Sequence, residues 1–581
     1  MANDQKADKG STFIKMKGNE FLARQIRRSG VGGIFFVPTF LYPTLVELAN
    51  DPIKRVLTHS ERAAAYMADG CAQASNKVGW VITQGGPGAA NLIAGFGDAW
   101  QSNTPILGLT GLIPTTRYHG NSYQEVYYDF RTVTKFDAEI RASNRLPDIL
   151  GEALREASTG APRPVHLYVD GALEALEETF NEAFLDERYF SYPAFRPKAE
   201  EDAVEKAARI LEQSERPIVV AGRGAVVSGA WDEVTALAER LNMTVTGSLG
   251  GKGIIDEHHP LSLGTQGSYR RSCCNDMIDA ADVVLYIGSH VGGATTVMGQ
   301  SPPMGKPTLL HIDIDPAQPG KNYPADVAMI GDARVVVQQL IDALDKPNPN
   351  SRNEWVAQCQ QAVKDWWQEH DKHVRSDASP IRPERLAVEV AKAIPDDAIV
   401  LTDTGYSAAW SGAFMDLHAG RSFLACEGSL GWAFAASIGA KCGAPDRPVI
   451  SWIGDGGFCY HMAEVETAVR NKINVISVVM NNHALVFDTH LLQAFWSASH
   501  DVDLLSEFKE TNYAHIAKEL GGHGIRVEDP SKIGDAIREA LDYDGPTVID
   551  VVIDHAAVAP VSFMAGQASR GGMLTAPEKM K

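Results

Sequence analysis

Apolar and polar positions alternate along this chain in a repeating rhythm. Runs of four to six mostly apolar residues, rich in Val and Ile, are separated by longer stretches with helical spacing. The strand-like runs fall into three sets: 33–37, 79–83, 106–110 and 165–169; then 217–221, 283–287 and 308–312; then 398–401, 448–452, 475–480 and 547–552. Strands alternating with helices build βαβ units, and βαβ units build parallel sheets with helices on their faces. The expected class is therefore α/β, with doubly wound parallel sheets. Two polar, proline-bearing stretches interrupt the rhythm. Residues 189–199 (YFSYPAFRPKA) follow what reads as an acidic helix, and residues 345–352 read DKPNPNSR. They predict three domains, at 1–190, 195–345 and 353–581, the last opening on a long polar helix over 353–376. The tail from about 554 to 581 is rich in Ala, Gly and Met with little periodicity. It reads equally as disorder or as a segment folded over a site.

Composition narrows the function. The 581 residues are 44% hydrophobic and 22% charged, which fits a globular protein and excludes a disordered or collagen-like one. The net charge of −20 repels phosphate backbones, so nucleic acid is not an expected partner. No apolar run approaches the ~20 residues that span a bilayer, so no membrane is expected either. The polar start lacks the apolar stretch of a secretory signal. Seven cysteines without a Cys-x-x-Cys pair suggest reduced thiols and a cytoplasmic location.

The strongest chemical signal is Gly454-Asp455-Gly456-Gly457-Phe458, with Asn481-Asn482 following about 25 residues later. Each group ends an apolar strand, so two neighbouring strands would present polar residues at their carboxyl ends, where open α/β sheets bind ligands. A hard divalent cation takes oxygen ligands and shares them with phosphates. Asp455 offers a carboxylate, Asn482 an amide oxygen and Ala484 a backbone carbonyl. The glycines at 454, 456 and 457 let backbone N–H groups approach a diphosphate.

In these residues the chain resembles the thiamine diphosphate-dependent enzymes, whose Mg²⁺–diphosphate motif matches the stretch from Gly454 to Asn482. The likeness extends over nearly the whole chain. The segment from Val56 to Gly70 resembles the one carrying the family's catalytic glutamate, which places Glu61 at that position. The stretch from Thr83 to Asn91, containing Gly85-Gly86-Pro87-Gly88, is similar to the turn that follows. Asp403-Thr404-Gly405 and Glu427-Gly428-Ser429-Leu430-Gly431 also match in place. The resemblance implies pyrimidine-binding, central and diphosphate-binding domains in that order. It implies that Glu61 exchanges a proton with N1′ of the cofactor's pyrimidine. Leu430 would wedge the cofactor into its bent shape, and the Gly428 carbonyl would accept from its 4′-amino group. Gly86, Asn91, Tyr406, Ser407 and His483 are further candidate cofactor contacts. Asn121-Ser122-Tyr123-Gln124-Glu125 resembles a substrate-side segment of acetohydroxyacid synthase and its relatives, with Gln124 as a hydrogen-bond donor near the reacting carbon. The histidines at 119, 483 and 490 lie near these clusters.

Within the family, acetolactate synthase is the expected type. That implies decarboxylation and carboligation of 2-oxo acids or 2-hydroxy ketones, in a homodimer or homotetramer. A 2-hydroxyacyl-CoA lyase or oxalyl-CoA decarboxylase-like enzyme is the enzyme alternative, and a non-catalytic thiamine diphosphate-binding protein is the other. The central domain carries Gly222-Arg223-Gly224, so FAD or ADP there stays open. The strand running into Gly288-Ser289-His290 lacks the arginine usual in flavin-using relatives, which leans against FAD. The chain also departs from the family. Phe35-Phe36-Val37-Pro38-Thr39-Phe40 replaces a Phe-Gly-x-Pro-Gly turn, Leu491 stands near a tryptophan position, and Gly431-Trp432-Ala433 replaces Gly-Leu-Pro. These changes spare the cofactor motifs and imply a reshaped substrate pocket.

Overall fold

A computed structural model describes residues 13–38, 40–112, 128–345, 352–420, 423–496 and 502–561. The chain divides into two compact units, Met1–Ala194 and Phe195–Lys581.

The first unit holds a six-stranded parallel sheet. Its centre is Gly79–Thr83 beside Ile106–Gly111, both buried, as continuous apolar strands covered on two faces must be. The acidic stretch expected as a helix before the first linker is instead the strand Glu177–Asn181 with short turns around it. It pairs antiparallel with Phe13–Lys17, and Lys15 Nζ lies 2.6 Å from Glu177. That partner lies more than 150 residues away in sequence, and it overrides a helical local pattern.

The second unit holds two more six-stranded parallel sheets. One is centred on Pro217–Ala221 and Val283–Ile287, the other on Val449–Gly454 and Ile476–Asn481. The helix Asn353–Val374 joins them. Trp355 Nε1 donates to Pro217 O at 3.3 Å beneath the first sheet, while Trp366 packs against Phe414 beneath the second. Two ion pairs lie between the sheets: Lys252 with Glu257, fully buried, and buried Arg271 with the partly exposed Asp416. Most of the linker expected at 345–352 and the tail from 562 onward lie outside the described residues. No helix among the described residues is long and apolar enough to cross a membrane.

Candidate active site

In the third sheet, Ile399–Thr402, Val449–Gly454 and Ile476–Asn481 are adjacent and parallel, so their carboxyl ends open on one edge. A cleft of about 300 Å³ lies there. Gly454, Asp455, Gly456, Gly457 and Asn482 line it, as do Tyr406, Ser407, Leu430 and Ala484. Nine of the residues expected from sequence are thus brought to one place.

Asp455 opens the helix Asp455–His461 and is 1% exposed. One carboxylate oxygen accepts from Gly456 N at 2.7 Å and the other from Asn482 N at 3.1 Å. Burial pushes its carboxyl up to about 7, against the pull of those backbone N–H groups. A cation at this carboxylate would replace the solvation that burial removed. The Asn482 Oδ1 beside it is buried and has no hydrogen-bond partner among the described residues. A desolvated carboxylate and an orphaned amide oxygen are the donors a hard divalent cation needs, so the residues fit the expected Mg²⁺.

The rest of the cleft suits a diphosphate. The helix Tyr406–Phe414 starts at the cleft after Gly405, whose φ of +68° turns the chain into it. A Cβ on Gly405 would meet nothing within 4 Å. Two helix N-termini therefore face the same space, neither capped by its N-cap residue's side chain, with their positive dipole ends toward it. Trp452 Nε1 donates to Ser407 O at 2.9 Å and holds the first of these helices in place. Tyr406 Oη lies 3.0 Å from His490 Nδ1, so His490 supports a cleft wall from behind. Leu430 is positioned by Gly431, at φ +90°, whose N–H bonds Asp403. The Asp403 carboxylate also accepts from Ala433 N at 3.0 Å, and burial pushes it up to about 6. Gly428, at φ +129°, and His483, at φ +58°, sit on the flanking turns but are not among the cleft-lining residues.

The paired asparagines divide their roles. Asn481 turns from the cleft and donates to Asp550 Oδ1 at 2.8 Å and to Thr511 O at 2.9 Å. Asp550 also receives Tyr513 N at 2.9 Å and Arg526 at 2.6 Å, tying the strand ends together. A lone acid in the apolar run TVIDVV was the only sequence signal for it.

In the first unit, Glu61 begins the helix Glu61–Ser75 behind the Ser60 cap and is 9% exposed. Its Oε2 accepts from Asn91 Nδ2 at 3.0 Å, and a Cβ on Gly88 would stand 3.3 Å from Oε1. Gly86, at φ +61°, starts the helix Pro87–Gln101 that carries Asn91. Glu61, Gly86 and Asn91 thus form one cluster. Phe40, from the altered turn, packs over Gly111 at 3.4 Å from where a Cβ would be. Gln124 and His119 lie outside the described residues. In the central sheet, the glycine turn at 222–224 packs directly on Gly288, with Gly224 N donating to Gly288 O at 2.9 Å.

Three family models match the chain in the expected order. The thiamine pyrophosphate enzyme N-terminal TPP binding domain matches residues 16–132, the central domain 204–340, and the C-terminal TPP binding domain 403–551. A probable acetolactate synthase large subunit of Methanocaldococcus jannaschii is 31% identical over 94% of this chain and 93% of its own length. The acetolactate synthase isozyme 3 large subunit of Escherichia coli is 26% identical over 93% and 95%. A putative thiamine pyrophosphate-containing protein, YdaP, of Bacillus subtilis is 25% identical over 89% and 88%.

Proposed function

The chain belongs to the thiamine pyrophosphate enzyme family, in its acetolactate synthase type, and from that premise we propose that it is a Mg²⁺-dependent lyase and carboligase. It would act on 2-oxo acids or 2-hydroxy ketones, breaking or forming the carbon–carbon bond beside the carbonyl. The observation that carries this reading is the pairing of buried Asp455 with the orphaned Asn482 Oδ1 on the floor of the cleft.

When bound, thiamine diphosphate supplies the nucleophilic carbon that attacks such a carbonyl, chemistry no side chain here provides. Asp455, Asn482 and the Ala484 carbonyl would hold the Mg²⁺. The N–H groups at the starts of the helices Tyr406–Phe414 and Asp455–His461 would orient the diphosphate. Leu430 would fill the space under the thiazolium ring. At Glu61, Asn91 donates to Oε2, and Oε1 would be the oxygen that carries the exchanged proton. Substrate choice would rest on side chains that differ from the family pattern, Phe40 foremost, and on Val486, Phe487 and Asp488 along the cleft.

The test is NMR of the protein with thiamine diphosphate, Mg²⁺ and ¹³C-labelled pyruvate. Acetolactate or acetaldehyde is expected. Bound cofactor with no turnover of pyruvate or of a panel of larger 2-oxo acids and 2-hydroxy ketones would overturn the proposal.

A further inference from the structure

Away from the cleft, the second unit gathers two histidines and two aspartates from three distant segments. Asp256 and His258 lie between the strands Thr244–Gly247 and Ser262–Thr265 of the central sheet. His418 follows the helix Tyr406–Phe414, and Asp396 follows Pro383–Ala393, both belonging to the third sheet's layer. His258 Nδ1 stands 3.0 Å from one oxygen of Asp256, and His418 Nδ1 stands 2.8 Å from the other. The two rings stack at 4.7 Å with 23° between their planes. His418 Nε2 faces Asp396 at 3.4 Å.

The proton inventory of this cluster does not close with neutral rings. A neutral imidazole carries one N–H. His418 presents a nitrogen to a carboxylate on each side, so a neutral ring sets a lone pair against an anion. A cation on this ring, a proton or a metal ion, answers that contact. A metal ion would serve both rings through their Nδ1 atoms. It takes both Nδ1 lone pairs and an Asp256 oxygen, while His418 keeps its proton on Nε2 and donates it to Asp396. That last arrangement is the carboxylate–histidine–metal relay that orients a ligating ring.

We propose that Asp256, His258 and His418 form a binding site for a zinc-type divalent cation, with Asp396 orienting His418. Two imidazoles and one carboxylate suit a borderline cation, whereas Mg²⁺ and Ca²⁺ take all-oxygen sets. The three ligand atoms already lie within 4.8 Å of one another. Zn–N bonds of about 2.0–2.1 Å in tetrahedral geometry put ligand atoms about 3.3 Å apart, and the two Nδ1–carboxylate contacts of 3.0 and 2.8 Å lie within about half an ångström of that. The fourth position opens on a cleft of about 270 Å³ that His258, His418 and Asp396 share with Lys392, leaving room for a water. Lys392 lies 3.3 Å from Glu389, and Asp416 on the same cleft pairs with Arg271.

The site sits beside the buried joint of the two layers. Glu257 follows Asp256, and its Oε2 accepts from Leu417 N, next to His418, at 2.9 Å. A cation here would clasp the central sheet to the layer that carries the diphosphate cleft. The ligands come from one chain and one compact unit, so the inference is independent of the proposed reaction.

The experiment uses chelator-treated full-length protein, saturated with thiamine diphosphate and Mg²⁺ to fill the hard-cation site, and titrated calorimetrically with Zn²⁺. One equivalent per chain is expected, with a rise in melting temperature. Co²⁺ should give the visible spectrum of a low-coordinate nitrogen–oxygen site. His258→Asn and His418→Asn should each weaken Zn²⁺ by at least about tenfold, and Asp396→Asn by about 10–100-fold, the range for second-sphere partners. The double histidine variant should lose both the equivalent and the melting shift while keeping its circular dichroism and cofactor binding. Failure to find a stoichiometric equivalent in the wild type overturns the proposal. So does an equivalent that survives the double substitution unchanged.

Discussion

Replacing Lys252 by methionine would break the joint between the second and third sheets in a measurable way. Lys252 Nζ lies 2.6 Å from both Glu257 oxygens, and the two side chains are 0% and 3% exposed. Methionine keeps most of the lysine's volume, so the substitution removes a charge more than it opens a cavity. Glu257 then keeps its hydrogen bond from Leu417 N at 2.9 Å. Removing one half of a buried ion pair costs about 3–5 kcal/mol, because the other charge stays buried without compensation. Burial already raises the Glu257 carboxyl above its ordinary value, and without Lys252 it rises further. A carboxyl whose folded pKa exceeds its unfolded value binds its proton more tightly when folded. The variant is therefore most stable below the unfolded value of 4.5 and loses stability as pH rises through the folded one. Urea unfolding followed by tryptophan fluorescence, at pH 7.5 and again near pH 5, gives both quantities. The deficit against wild type should be about 3–5 kcal/mol at pH 7.5 and should shrink at the lower pH. Adding Glu257→Gln should restore at least half of it. A deficit under about 1 kcal/mol, the size of an exposed pair, would refute the reasoning, as would one that ignores pH.

Three further outcomes test the cleft and the glutamate cluster. Glu61→Gln should keep thiamine diphosphate bound but slow exchange of the cofactor's C2 proton by about 10²–10⁴-fold; an unchanged exchange rate by NMR excludes the proton role. Asp455→Ala should lose Mg²⁺-dependent cofactor binding, and wild-type affinity by calorimetry would reject it as a ligand. Gly431→Ala places a side chain at φ +90° with its Cβ 2.7 Å from Tyr460 Cβ. It should cost about 1–3 kcal/mol in scanning calorimetry and weaken the cofactor by displacing Leu430, and a neutral result would show that the turn is not constrained.

What the sequence made legible was local. The strands 79–83, 165–169, 217–221, 283–287 and 547–552 match the observed ones residue for residue, because buried parallel strands are written as nearly continuous apolar runs. Asp455 and Asn482 were readable because each ends such a run. What stayed hidden depends on partners far away in the chain. Lys15 and Glu177 explain an antiparallel pair that local pattern disguised as a helix. The role of Asn481 is set by Asp550, 69 residues on, which takes its amide. The imidazole of His418 meets Asp256 across 162 residues, and no window of sequence holds both.

The loop after the third sheet's Asn482 has a consequence for how such an enzyme diversifies. Asn482 lies on the floor of the cleft, and Leu485 together with the start of the helix Val486–Trp496 lines the same cleft. On the proposed reading, cofactor retention would rest largely on backbone geometry and two polar groups, whereas the adjoining wall would be set by the side chains of Leu485, Val486, Phe487 and Asp488. The two properties are therefore separable under mutation. A library randomised at Leu485, Val486, Phe487 and Asp488 should yield many variants that still load their cofactor, each with a differently shaped neighbour to it. Lineages can drift in substrate preference along that short stretch without passing through a cofactor-less intermediate.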